Sequence, residues 1–105
     1  MGHKLSKYEQ ELYQRVDEVL HYLWDPIAVS DIPEARGEYY SYLPHVFSLL
    51  TKTKDGKDIS EYLLSVEKDK IGTFINDRIK DRAAEIAEIL INYREWIKEK
   101  AEQSA

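Results

Sequence analysis

A chain of 105 residues is the size of a single domain and has little room for a second hydrophobic core. With 43% hydrophobic and 33% charged residues it is too apolar for a disordered acidic tail, and zero cysteines exclude disulfides, thiolate metal sites and cysteine nucleophiles, which fits a reducing cytoplasm. The net charge of −5 argues against duplex nucleic acid as a partner, no apolar run approaches the ~18–20 residues of a membrane span, and the polar start from Met1 to Gln10 lacks a signal-peptide core.

The first predicted helix covers about residues 6–24. Leu5, Tyr8, Leu12, Val16, Val19, Leu20 and Leu23 recur at steps of three and four, forming one stripe on a 3.6-residue period. Ser6 followed by Glu9 has the spacing of a capping box, and Pro26 ends the helix by disfavouring helical backbone at Asp25. The stretch from Asp25 to Pro33 has no helical period. Its Ile27, Val29 and Ile32 suggest a loop laid against the core.

A second helical segment is expected over 33–51, with Tyr39, Leu43, Val46, Phe47 and Leu50 as its apolar positions. Pro44 would cost about 3 kcal/mol inside a continuous helix. The segment is therefore expected to kink or break there, the other arrangement being a new helix capped by Ser41. Asp55-Gly56 marks a turn, after which Asp58 is expected to cap a third helix, over 58–71, that stops at Gly72. The fourth helix, over 76–100, has the longest regular stripe: Ile75, Ile79, Ala83, Ile86, Leu90, Tyr93 and Ile97. Four helices with short connections and no strand alternation define an all-α, single-domain four-helix bundle with a kinked or broken second helix.

The chain carries no glycine-rich phosphate loop, no H-E-x-x-H and no G-x-S-x-G, and His3, His21 and His45 sit in no catalytic spacing. His21 and Asp25 are four apart, as are Glu34 and Glu38. These four residues, joined by His45 if it comes near the same corner, are the constellation from which a small metal-dependent or hydrolytic enzyme could be assembled. The alternative is that Asp25 bonds local backbone and the glutamates form a solvated face. The second reading is preferred, so no catalytic residue, metal or cofactor is expected.

Charge is more informative. Residues 25–50 set Arg36 against Asp25, Asp31, Glu34 and Glu38, so −3 of the net charge lies in this quarter of the chain. It also holds Tyr39, Tyr40, Tyr42 and Phe47, with Tyr22 and Trp24 just upstream. Tyrosine and tryptophan supply large, rigid contact areas, and surrounding carboxylates steer a basic partner. Trp24, Asp25, Asp31, Glu34, Glu38, Tyr40 and His45 are the candidate partner-binding residues, although core is the favoured reading for Trp24, Tyr39 and Tyr42. Ile89 and Trp96, beside the main stripe of the fourth helix, suggest self-association.

Trp24-Asp25-Pro26-Ile27-Ala28-Val29, followed by Glu38-Tyr39-Tyr40-Ser41-Tyr42, resembles the W-D-P-I-G-V and D-E-Y-D-x-Y signature of a family of small uncharacterised all-helical bacterial proteins. Leu49-Leu50, Tyr62-Leu63 and Ile71-Gly72 extend the likeness, which spans about residues 20–92. Here Ala28 replaces the usual glycine, Gly37 the first acid and Tyr40 the second. The resemblance implies a small helical protein with no activity to carry over, and the setting of some relatives suggests toxin immunity. The expectation is a non-enzymatic cytoplasmic protein-interaction module. Its sharpest form is an immunity protein that caps a basic toxin, such as a nuclease.

Overall fold

The computed structural model describes residues 5–72 and 74–104, so His3 lies outside it. It is the expected all-α bundle. Helix α1 spans Lys7–Glu18, α2 Leu43–Lys52, α3 Lys57–Val66 and α4 Asp77–Ser104, and no strand occurs among the described residues. No helix there is long and apolar enough to cross a membrane.

The capping box at the start of α1 forms as its spacing predicts. Ser6 Oγ accepts the Glu9 N–H at 3.1 Å, and Glu9 Oε1 accepts the Ser6 N–H at 2.9 Å. Beyond Glu18 the coil widens into a π-helical turn, Val19–Trp24, and beyond Val66 α3 does the same over Glu67–Ile71. One extra residue per turn rotates everything that follows it. Leu23, which an unbroken α-helix would place on the Leu12–Val16 stripe, is therefore 41% exposed, and Trp24 takes the inward position. At the end of α3 the same shift leaves Lys70 exposed and brings Ile71 against the core, while Glu67, the first residue of the turn, is buried.

The expected 33–51 helix is broken rather than kinked. Pro33–Ala35 and Tyr40–Tyr42 form separate 3-10 turns, and α2 begins at Leu43, so Pro44 falls in its first turn, where the missing N–H has no helical partner to lose. Tyr42, not Ser41, is the N-cap, without a side-chain bond. Helix α3 likewise takes Gly56 rather than Asp58 as its N-cap: Asp55 Oδ1 accepts the Lys57 N–H at 3.0 Å, and Asp58 falls in the first turn. Gly72 ends the third segment at φ 84°, a left-handed conformation that glycine adopts without strain.

The core gathers Leu12, Val16 and Leu20 from the first segment with Val46 and Leu50 of α2. Ile59 and Leu63 of α3 meet them, as do Ile86, Leu90 and Ile97 of α4. Helix α4 closes on α1 and α3. At 28 residues it is ~42 Å long and runs nearly the full 46 Å of the molecule. Arg94 ties it to α2, donating from Nη1 to the backbone carbonyls of Leu50 and Thr53, which the helix end leaves without helical partners.

Candidate functional site

The corner between α1 and α2 is organised by Asp25. Its backbone closes the π turn, donating to the Leu20 carbonyl at 3.0 Å, and then adopts the left-handed region at φ 35°. Its carboxylate faces back into the loop. Oδ1 accepts the Val29 N–H at 2.8 Å and the Tyr39 hydroxyl at 2.7 Å, while Oδ2 accepts the Ser30 N–H at 3.1 Å. The Tyr39 oxygen in turn accepts the Ile27 N–H at 3.2 Å. Partial burial pushes the Asp25 carboxyl up, but the bonds from Val29, Tyr39 and Ser30 outweigh it and hold the group below its ordinary value. Burial, followed by the tie to Asp25, pushes the Tyr39 hydroxyl the other way. Asp25 is thus the hub that folds the loop, and its oxygens are already occupied.

Trp24 is 4% exposed and belongs to the core, so it cannot serve as a contact residue. Its ring packs on Tyr39 and Tyr42, and its indole N–H donates to Glu67 Oε2 at 3.2 Å. That bond joins the two π-helical turns. Burial pushes the Glu67 carboxyl above its ordinary value, partly offset by the Trp24 bond and by nearby Arg82.

The enzyme-like constellation does not assemble. His21 is buried against Tyr22 and Tyr39, with no hydrogen-bond partner for Nδ1 among the described residues. His45 is exposed and stacks on Tyr62 at 4.1 Å. Among the described residues no three histidine or carboxylate side chains come together where they could hold a metal ion. His21, Asp25, Glu34, Glu38 and His45 therefore do not converge.

Asp31, Glu34, Glu38 and Tyr40 are exposed, and the three acids form no salt bridge among the described residues. Beside them lies an arrangement that sequence reasoning missed. Arg36 is gripped in bidentate fashion by Asp17 of α1, with Nη1–Oδ1 at 3.0 Å and Nη2–Oδ2 at 2.9 Å. Its guanidinium lies 5.5 Å from the Tyr22 ring centre and 5.9 Å from that of Tyr40. Both tyrosines are about half exposed, at 54% and 50%, so two large rings stand on the surface around a fixed cation. The available signal was Arg36 itself, the one basic residue in an acidic quarter. Ile27 and Ile32 add apolar surface on the loop that Asp25 holds.

No family model matches the chain, and no curated protein or solved structure matches it.

Proposed function

We propose that the chain is a non-enzymatic, cytoplasmic protein-interaction module that engages a basic protein partner through Tyr22, Asp31, Glu34, Glu38 and Tyr40. The observation that carries this reading is the Tyr22–Arg36–Tyr40 group clamped by Asp17. Ordering a flexible side chain on binding costs about 0.5–1.5 kcal/mol, a cost already reduced where the rings are held before the partner arrives. The free carboxylates beside them give the surface its sign and favour rapid, salt-sensitive association. The sharpest form of the reading is an immunity protein that neutralises a basic toxin.

The test begins with the partner recovered from native cells by a photo-cross-linker placed at Tyr40 and then purified. Titration calorimetry should show Glu34→Lys/Glu38→Lys and Tyr40→Ala each weakening binding at least tenfold, with the wild-type affinity falling as salt rises. Circular dichroism should stay unchanged. Wild-type affinity in both variants would overturn the proposal. A second reading, favoured by the 54% exposed Trp96 beside Ile89, is self-association through α4. It uses different residues and is compatible with the first.

A further inference from the structure

The α4 face around Trp96 has a sequence that is complementary to itself when reversed. Arg82, Ile89, Trp96 and Gln103 follow one another at intervals of seven and form a single stripe ~32 Å long. Glu85, Asn92 and Lys100 flank that stripe on the same side of the helix. Trp96 is half exposed and Ile89 half buried, so the centre of the stripe is apolar and open to water. Lys100 is held at its edge, bonded to Glu11 Oε2 at 2.7 Å and lying 4.6 Å from the Trp96 ring centre.

Resting on the self-association reading, we propose that this face binds a second copy of the chain in antiparallel register, the two-fold axis passing between Asn92 and Tyr93. In two antiparallel helices, facing positions have a constant sum. An axis at that point sets Trp96 against the partner copy's Ile89 and Glu85 against the partner copy's Lys100, each pair occurring twice. A parallel arrangement would instead oppose Glu85 to Glu85 and Lys100 to Lys100, both repulsive. The charges therefore select the antiparallel form, and the Trp–Ile pairs supply the apolar burial.

Sedimentation equilibrium over a range of protein concentrations tests this. The wild-type chain should move from monomer to dimer mass as concentration rises. Glu85→Lys and Lys100→Glu should each weaken the dimer at least tenfold, because each creates two like-charge pairs. Mixing the two variants should restore association, since the mixed dimer regains two opposite-charge pairs. Lys100→Gln, which loses the Glu11 bond without adding repulsion, should weaken the dimer less than Lys100→Glu. Monomer mass throughout would overturn both self-association and the register, and a dimer that survives Trp96→Glu would overturn the α4 face as its interface. A dimer abolished by Trp96→Glu but indifferent to the charge reversals would overturn the register alone.

Discussion

Ala28 sits at φ 56°, where an L side chain is crowded by its own backbone, at a cost of roughly 1–2 kcal/mol. It can do so because the Asp25 carboxylate accepts the amides of Val29 and Ser30, and because its own N–H donates to the Asp25 carbonyl at 3.1 Å. Glycine adopts this backbone region without that crowding. Ala28→Gly should raise stability by about 0.5–1 kcal/mol after the entropy glycine loses on folding, visible as a higher denaturant midpoint with an unchanged slope. A lower midpoint would show that the turn is held in this conformation without strain. The same corner separates what was legible from what was not. That Asp25 ends the first helix and bonds local backbone follows from Pro26 and the aspartate's short side chain. That Tyr39, fourteen residues on, donates to the same oxygen does not, because no periodicity encodes a contact across a loop.

Helix boundaries repeat this division. The stripes of α1, α3 and α4 name nearly all the core residues because each helix buries one face. The π turn after α1 left no mark in the stripe, yet it moved Leu23 outward and Trp24 inward. A surface reading of Trp24 fails for that reason alone. Close approach between elements is similarly hidden. Gly56 caps α3 at φ −89°, a conformation open to any residue, yet a methyl group there would lie 2.7 Å from the Ala87 Cβ of α4. Ala87 is buried and cannot swing aside. Gly56→Ala should therefore cost about 1–3 kcal/mol by forcing α3 away from α4, and adding Ala87→Gly should recover part of that loss. Thermal unfolding of both variants measures it. A neutral Gly56→Ala would mean that the two helices can separate without penalty.

At the scale of the whole molecule, two carboxylates give stability opposite dependences on pH. Asp25 is held below its ordinary value by bonds made only in the folded state. Its contribution is complete above the unfolded value, roughly pH 4, and is lost as pH falls through the folded value. Glu67 is the reverse: burial pushes it up, so the folded chain keeps its proton longer than the unfolded one. Its contribution is complete below roughly pH 4 and is lost as pH rises through the folded value. Both groups are tied to the first helix corner, Asp25 by its own backbone and Glu67 through the Trp24 indole, so the joint between the π turns responds to acid and to base in different ways. Glu67→Gln keeps an acceptor for the indole and removes the buried charge. It should raise stability at pH 7 and flatten the decline above about pH 4. Asp25→Asn replaces an acceptor oxygen with a donor facing backbone N–H groups, so it should cost about 1–3 kcal/mol at pH 7 and flatten the acid limb instead. Urea unfolding of the two variants and the wild type across pH 3–8 separates these effects. If Glu67→Gln lowers stability at pH 7, the ionised carboxylate is itself needed, and its tie to Arg82 outweighs the cost of burying it.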